Sequence, residues 1–199
     1  NATDSEWIAF LDSDDIWHKE KLEKQISAAS ERPDHFLHFT DEIWIRNGLR
    51  INPKRRHQKL EGWIFQPSLE LCMMAPSTVM LKRELLEKCG LFDENLQVCE
   101  DYDLWLRITA HHQVALLNEA LMTRHGGHTD QLSRKYWGMD RFRVQSLKKI
   151  LANVSLHKED EIVARRVMRK KCKILLKGFR RRNKLDEVRY YESLLQNHC

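Results

Sequence analysis

Long apolar runs are missing from this 199-residue sequence. No stretch reaches the roughly 18 apolar residues that a transmembrane helix requires, and Glu70 and Pro76 interrupt the most apolar window, residues 69–81. No signal peptide is visible either. With 42% hydrophobic and 32% charged residues, the chain is expected to be a soluble globular domain with an appendage, or two small domains.

Cysteines are few, and their spacing matches no framework. There are five, an odd number without a CxxC pair: Cys72, Cys89, Cys99, Cys172 and Cys199. This pattern argues against a disulfide scaffold and against a zinc site, and it favours a reducing compartment. A cytoplasmic location is therefore expected.

Charge is unevenly distributed along the chain. Residues 158–199 carry 13 Lys and Arg against 6 Asp and Glu, whereas the whole chain has a net charge of only +5. Helical periodicity predicts a helix pair over residues 159–178 and 185–196. One face of the first helix carries Arg166, Lys170 and Lys173, and the apolar face that should pack consists of Ile162, Val163, Val167, Ile174 and Leu175. The basic face is either a solvated surface or a site of electrostatic attraction to an anionic membrane, while nucleic-acid binding is disfavoured because few stacking aromatics are interleaved.

The chain is organised around residues 7–15. Residues 8–11 lack polar alternation, which predicts a strand buried on both faces, as in a parallel α/β sheet. Asp12, Asp14 and Asp15 follow at the carboxyl end of this strand, where ligands gather in such sheets. Three acids repel one another unless a cation lies among them, and hard oxygen ligands suit Mg²⁺ or Mn²⁺. The alternative is an acidic loop in which an Asp caps the next helix.

The remaining pattern predicts alternating helices and strands. Helices are expected over 19–30 (with Leu22 and Ile26 on the apolar face), 62–74, 82–89 and 139–151. Strands are expected over 35–39, 77–81 and 114–117, with a hairpin over 42–51 that turns at Asn47-Gly48.

A second acidic pair, Glu100 and Asp101, opens a helix whose Leu104, Trp105 and Ile108 share one face. The helix dipole there favours anions and lowers a carboxylate pKa; a plain acidic helix start is the alternative. Trp105 is interpreted as core and Arg107 as a structural ion-pair partner.

A glycine-rich loop is expected over residues 124–133, where His125 and His128 flank Gly126-Gly127. Such a loop wraps a phosphate or offers an imidazole to a metal, unless it is an ordinary glycine turn.

Four segments in this order resemble glycosyltransferase family 2, whose members have the GT-A fold. They are residues 10–17 (FLDSDDIW), 90–94 (GLFDE), 100–107 (EDYDLWLR) and 125–128 (HGGH). The resemblance implies a mixed α/β sheet flanked by helices: a partial GT-A domain over 1–135, followed by a C-terminal helical extension, an α-hairpin, over 136–199. It also implies a nucleotide-base-binding unit upstream of residue 1, so the chain is expected to be the C-terminal part of a larger enzyme.

The activity that this resemblance implies is inverting, metal-dependent transfer of a hexosyl group. The sugar would move from a nucleotide-diphosphate sugar to a saccharide or lipid-linked acceptor, in cell-surface polysaccharide or glycolipid synthesis. Asp14 would bind Mn²⁺ or Mg²⁺ directly, Asp12 would face the ribose or the metal's waters, and Asp15 would be a second ligand.

The same resemblance assigns the remaining candidates. Asp101 would be the general base, Glu100 would orient Asp101 or the acceptor, and His125 or His128 would complete the metal shell or touch the diphosphate. Two other classes stay open: a metal-dependent phosphoesterase or nuclease, which the acids alone permit, and an inactive fragment that binds partners through its basic helical surface.

Overall fold

The computed structural model describes residues 4–127 and 135–197, and within them the strands form one mixed sheet. The strands are β1 (Trp7–Ala9), β2 (Ile16–Trp17), β3 (Leu37–Arg46), β4 (Leu49–Ile51), β5 (Val79–Lys82) and β6 (Ala115–Gly126). Their order is β1-β5-β3-β6-β2, with β4 paired to the end of β3. In this sheet β3 and β6 are parallel and the other pairs are antiparallel. The expected mixed sheet is confirmed.

Helices flank the sheet and form the C-terminal third of the chain. They are α1 (Lys21–Glu31), α2 (Phe65–Ser68), α3 (Arg83–Cys89), α4 (Glu100–Thr109), α5 (Asp140–Asn153), α6 (Lys158–Arg181) and α7 (Leu185–Asn197), with 3₁₀ turns at Arg55–His57 and Pro76–Thr78. Across residues 4–127 and 135–197, none of the helices combines the length and the apolar character needed to cross a bilayer.

Strand β1 corrects the prediction that residues 8–11 form a strand buried on both faces. It lies at the edge of the described sheet, paired antiparallel with β5, and its residues are only half-buried. Ile8 and Phe10 face the core, whereas Leu11 is 51% exposed. The apolar run therefore covers one face of an edge strand rather than forming a strand buried on both faces.

Strand β6 extends further than the predicted residues 114–117. It runs parallel to β3 as far as Gly126, so Arg124 pairs with Trp44 and His125 with Ile45. Arg124 and His125 are therefore strand residues rather than loop residues, because the neighbouring strand β3 supplies backbone partners along this length. The hairpin after β3 turns as predicted, with φ of 51° at Asn47 and 76° at Gly48.

Helix α1 is buried on a different face from the one predicted. Leu22 and Ile26 are 45% and 44% exposed, while Lys21, Gln25 and Ala29 are buried. Gln25 donates its side-chain amide to the carbonyl of Thr78 at 3.0 Å. Polar side chains with specific partners thus replace the apolar contact that periodicity suggested.

The helix predicted over 62–74 is wrong except for the four residues of α2. Gly62 has a φ of 80°, and Pro67 lacks the N–H that a longer helix would need. Beyond α2, carbonyls accept side-chain hydrogen bonds from α4: the Leu69 carbonyl from the Tyr102 hydroxyl at 2.7 Å and the Met74 carbonyl from the Trp105 indole at 3.0 Å.

Helix α4 is packed between two hydrophobic cores. Leu104, Trp105 and Ile108 belong to the core beneath the sheet, and Tyr102 and Leu106 belong to the core formed with α5, α6 and α7. Arg107 pairs with Asp103, with Nε 3.0 Å from the carboxylate, in the structural role expected for it. Burial on both sides fixes the position of α4 and of the acids in its first turn.

The predicted helix pair is present as α6 and α7, but its apolar face was partly misassigned. Val167 and Leu175 are buried, whereas Ile162 and Ile174 are 50% and 55% exposed. Lys171 is buried instead, and its ammonium donates to the carbonyl of Glu70 and to Asp140. Lys171, a basic residue with two hydrogen-bond partners, is therefore buried, whereas the apolar pattern predicted that Ile162 and Ile174 would be buried.

Candidate active site

The acidic loop joins β1 to β2 and is anchored by Ser77. The Asp12 N–H donates to Ser77 Oγ at 3.0 Å, and the Trp17 indole donates to the Ser77 carbonyl at 2.8 Å. The Asp15 N–H donates to the Asp12 carbonyl at 3.1 Å, which closes a turn. Asp12 and Asp14 are exposed on this turn, while Asp15 points inward and is buried.

The carboxylates of this loop destabilise one another's charge. Desolvation raises the pKa of Asp12, and the neighbouring charges of Asp15 and Asp14 raise it further. Desolvation also raises the pKa of Asp15, although hydrogen bonding to Ser77 and the nearby Arg124 charge oppose the change. Proximity to a cation would relieve this repulsion.

His125 meets the acidic loop through its backbone. Its N–H donates to Asp15 Oδ1 at 3.3 Å, which ties the loop to β6. A role for the imidazole remains a prediction, and His128 lies outside the described residues.

Asp101 lies in the first turn of α4, after Cys99 in a left-handed conformation (φ 64°). Its Oδ1 accepts the Tyr102 N–H at 2.6 Å, and its Oδ2 accepts the Cys72 thiol at 3.3 Å. Desolvation nevertheless raises the pKa of Asp101 above its usual value. The prediction that the helix start lowers the pKa of Asp101 is therefore wrong in net direction, because burial outweighs the local hydrogen bonds and charges.

Glu100 and Asp12 belong to the same electrostatic neighbourhood as Asp101. Burial raises the pKa of Glu100, and the charges of Asp101 and Asp12 add to the increase. The charge of Asp101 likewise contributes to the raised pKa of Asp12. The structure thus brings the acidic loop and the start of α4 together, although some 85 residues separate them in the chain.

Arg124 is the cation of this neighbourhood. Its charge lowers the pKa values of Asp12, Asp15, Glu42 and Asp101 against the effects of burial. The guanidinium lies 6.0 Å from the centre of the Trp44 ring. Sequence reasoning placed Arg124 in a loop and gave it no role; its proximity to the His-Gly-Gly-His segment was the available signal.

A cavity of about 260 Å³ opens beside these groups. Asp101 and Arg124 contribute to its wall, together with Glu42, Trp44 and Lys59. The last three were not predicted as site residues. The two adjacent acids Asp41 and Glu42 within a predominantly buried strand were the available sequence signal for Glu42.

The carboxylate oxygens of the acidic loop could hold a divalent cation only together with oxygens from a bound ligand. Among the residues that the structure describes, no three His, Cys, Asp or Glu side chains form a cage for a metal ion. However, Mg²⁺ is commonly bound through one or two carboxylates plus substrate phosphates. The exposed Asp12 and Asp14, on a loop where carboxylates repel, meet that smaller requirement.

Comparison with known proteins identifies relatives for the first part of the chain. Residues 1–90 match the model of Glycosyl transferase family 2. The chain is 36% identical over 112 residues to the Escherichia coli UDP-Glc:alpha-D-GlcNAc-diphosphoundecaprenol beta-1,3-glucosyltransferase WfgD, covering 56% of this chain and 42% of that protein. It is 28% identical over 113 residues to the amylovoran biosynthesis glycosyltransferase AmsB of Erwinia amylovora, covering 51% and 36%. The alignments therefore span less than half of either relative.

A solved structure supports the fold. The chain superposes on S. aureus TarS in complex with UDP-GlcNAc with a TM-score of 0.56 and 15% identity, covering 98% of this chain and 68% of that one. At this identity the likeness concerns the fold alone, and that fold is the GT-A-like mixed sheet with flanking helices.

Proposed function

We infer that this chain, which carries part of a glycosyltransferase family 2 catalytic domain, transfers a sugar from a nucleotide-diphosphate donor to an acceptor hydroxyl with inversion at the anomeric carbon. The observation that carries the proposal is the position of Asp101. Its carboxylate lies on the cavity wall, in the electrostatic neighbourhood of Asp12 and Arg124. A candidate base on the cavity wall therefore lies within electrostatic reach of the acidic loop.

Asp101 acts as the general base in this proposal. It takes the proton of the acceptor hydroxyl while that oxygen bonds to the donor's anomeric carbon, and the bond from that carbon to the diphosphate breaks with its electron pair. A carboxylate whose pKa is raised by burial is a stronger base than an ordinary aspartate. Glu100, next to Asp101, orients the base or the acceptor.

Asp14 and Asp12 would hold Mn²⁺ or Mg²⁺, with Asp15 as a further candidate ligand. When bound, the ion would neutralise charge on the departing diphosphate. Arg124 provides a positive charge near Asp12 and Asp101. The His125 side chain, and His128, are candidates for contact with the diphosphate.

The substrates are proposed from the relatives. WfgD is named for UDP-glucose and a diphosphoundecaprenol-linked acceptor, AmsB for amylovoran biosynthesis, and TarS was solved with UDP-GlcNAc. A UDP-hexose donor and a saccharide or lipid-linked acceptor in cell-surface polysaccharide synthesis follow for this chain. The phosphoesterase alternative rests on the acidic loop alone and gains no support from the family match.

Peripheral contact with the inner face of the membrane is part of this proposal. An enzyme that acts on a lipid-linked acceptor from the cytoplasm benefits from binding the anionic leaflet. The exposed basic side chains of α6 offer a suitable surface, since Arg166, Lys173 and Lys177 are exposed and make no ion pair within the described residues.

The activity test measures release of UDP from UDP-glucose and UDP-GlcNAc with Mn²⁺ or Mg²⁺, with and without lipid-linked GlcNAc diphosphate as acceptor. Asp101→Asn should lower kcat by about 10²–10⁴ while donor affinity changes little, because a base acts in the transition state. Asp14→Ala and chelation by EDTA should each abolish turnover. The exposed Glu94→Gln serves as the matched control. Full activity of Asp101→Asn, or cleavage of nucleic acid in place of UDP-sugar turnover, would refute the proposal.

A further inference from the structure

Among the residues that the structure describes, three buried polar atoms of the cavity wall make no hydrogen bond of good distance and angle. They are Glu42 Oε2, Trp44 Nε1 and Arg143 Nε, and all three residues line the cavity that also contains Asp101. A buried polar atom without a partner costs about 1–3 kcal/mol. Such groups are rare in folded proteins and call for an explanation such as a bound ligand.

The Glu42 carboxylate is held rigidly for such a purpose. Its side chain is 2% exposed, and its Oε1 accepts the Lys59 ammonium at 2.5 Å. That ammonium also donates to the Met73 carbonyl at 3.0 Å. Burial opposes ionisation of Glu42, yet the charge and hydrogen bond of Lys59 keep the pKa of this carboxyl below its usual value. Glu42 is therefore a charged acceptor on the cavity wall, with Oε1 bonded to Lys59 and Oε2 without a well-formed hydrogen bond among the described residues.

Trp44 and Arg143 supply the complementary donors. Trp44 follows Glu42 by two residues on β3, so both side chains lie on the same face of the strand. A hydrogen bond from the indole also contributes to the low pKa of Glu42. Its distance and angle fall outside the limits of a well-formed bond, so Glu42 and Trp44 are neighbours that are only weakly paired with each other. Arg143 is fixed by its Nη1, which donates to Asp140 Oδ1 at 3.0 Å, while its Nε remains unpaired.

We propose that Glu42, Trp44 and Arg143 form a subsite that binds hydroxyl groups of a single sugar ring. A hydroxyl donates to a carboxylate and accepts from an N–H, so neighbouring hydroxyls satisfy one acceptor and two donors together. Glu42 disfavours a phosphate at this subsite, although Lys59, Arg124 and Arg143 also line the cavity, and a cation at Glu42 would compete with Lys59. Leu71, Met73 and Met74 provide apolar wall for the C–H faces of a ring. The volume of about 260 Å³ lies just below the range of drug-sized pockets, which suits one ring.

This inference rests on the proposed function, because the ring belongs either to the donor or to the acceptor. Binding measurements with the 199-residue chain separate the two sources. The probes are UDP, UDP-glucose and UDP-GlcNAc by calorimetry with Mg²⁺, and methyl glycosides of glucose and N-acetylglucosamine by saturation-transfer NMR. Glu42→Gln keeps an acceptor for Lys59 but replaces the other carboxylate oxygen by an amide NH₂, and Trp44→Phe removes the N–H together with part of the aromatic ring system.

Thr40→Val is the matched control. Thr40 lies two residues before Glu42 on β3, and its hydroxyl is also buried without a partner, but Thr40 is not among the described residues that line the cavity. Glu42→Gln and Trp44→Phe should each weaken sugar binding about tenfold, whereas Thr40→Val should change it less than twofold. If the cavity variants reduce the affinity advantage that a UDP-sugar has over UDP in the parent, the subsite belongs to the donor. If the variants lose only the binding of methyl glycosides, the subsite belongs to the acceptor.

Other outcomes would refute either the sugar subsite or the glycosyltransferase proposal. The subsite is refuted if both cavity variants behave like Thr40→Val, or if the parent chain binds none of the sugar probes. If the parent binds methyl glycosides through Glu42 and Trp44 but the activity test gives cleavage of nucleic acid in place of UDP-sugar turnover, the subsite stands and the glycosyltransferase proposal fails.

Discussion

Cys72 is the residue that most directly adjusts the proposed base. Its thiol donates to Asp101 Oδ2 at 3.3 Å and lies 3.2 Å from the Met74 carbonyl. Burial and the adjacent Asp101 raise the pKa of the Cys72 thiol well above its ordinary value, so the group remains an S–H donor. Its hydrogen bond lowers the pKa of Asp101 against the larger effect of desolvation.

Removing this donor should move the pH profile of the proposed activity. In the proposed mechanism the ionised form of Asp101 is the base, so activity should fall as the pH falls through its pKa. Cys72→Ala should raise that pKa and shift the acid limb of kcat/KM upward by about 0.5–1 pH unit, the equivalent of one hydrogen bond. Cys72→Ser, which retains a donor, should shift it much less. Equal shifts for Ala and Ser would show that packing, not the hydrogen bond, is responsible.

At the scale of elements, α1 carries a charge that opposes folding. Lys21 is fully buried, donates to Gln25 and lies 4.5 Å from the centre of the Trp17 ring. Desolvation lowers its pKa from 10.5 to about 8. The unfolded chain therefore binds the proton more tightly, and the destabilisation is complete below about pH 8 and disappears as the pH rises towards 10.5.

Lys21→Met should therefore stabilise the protein at neutral pH. We expect a gain of about 1–3 kcal/mol at pH 7, reduced from the full linkage value by the lost contacts with Trp17 and Gln25, and a smaller gain at pH 10. Urea unfolding at both pH values measures the difference. Lys19→Met, at an exposed position, is the control. A gain that is independent of pH would contradict the titration argument.

Helix α6 carries the exposed basic face. Arg166, Arg169, Lys173 and Lys177 follow one another at spacings of three or four residues, which places them along one side of the helix. Ile162 and Ile174 are exposed near them. Few apolar side chains accompany these charges, so membrane binding is expected to be electrostatic rather than insertional.

Vesicle cosedimentation tests this face. The triple variant Arg166→Gln, Lys173→Gln, Lys177→Gln should bind anionic vesicles about 100-fold more weakly at low salt, because each basic residue near an anionic leaflet contributes about 1 kcal/mol. Lys19→Gln, Arg50→Gln, Lys54→Gln removes the same charge from other exposed positions and should bind like the parent. Vesicle binding that does not depend on salt concentration, or no binding at low salt, would contradict electrostatic membrane binding and leave the basic face with a role in packing and solubility only.

For the whole molecule, the C-terminal helices and the proposed site share α4. The helical core joins Tyr102 and Leu106 of α4 to Leu147 of α5 and Met168 of α6. The predicted boundary at residue 135 therefore passes through a continuous core. The C-terminal helices support the same helix that presents Asp101.

Leu147→Ala should consequently destabilise the whole fold. Leu147 is completely buried, and such a truncation costs about 2–5 kcal/mol. Leu185→Ala, at a side chain that is 67% exposed, should change stability by less than about 0.5 kcal/mol. Urea unfolding followed by tryptophan fluorescence and by circular dichroism should give coincident transitions. Separate transitions would indicate that the segments before and after residue 135 unfold independently.

Local chemistry was sufficient for the features that depend on a few adjacent residues. The Asn47-Gly48 turn, the acids at the start of α4 and the acidic loop after β1 follow from backbone preference and charge within short segments. The order of these segments was also enough to indicate the resemblance to glycosyltransferase family 2, whose model matches residues 1–90, because their residue types and spacing are visible without coordinates.

The tertiary structure decided which faces meet. It placed β1 at the edge of the described sheet, buried Lys21 in place of Leu22, and brought Glu42, Trp44 and Arg124 from β3 and β6 to the cavity wall beside Asp101. Burial by these distant segments raised the pKa of Asp101, where the local helix start alone favoured a decrease. Desolvation and long-range contacts depend on the packing of segments far apart in the chain, so periodicity and motif spacing could not supply them.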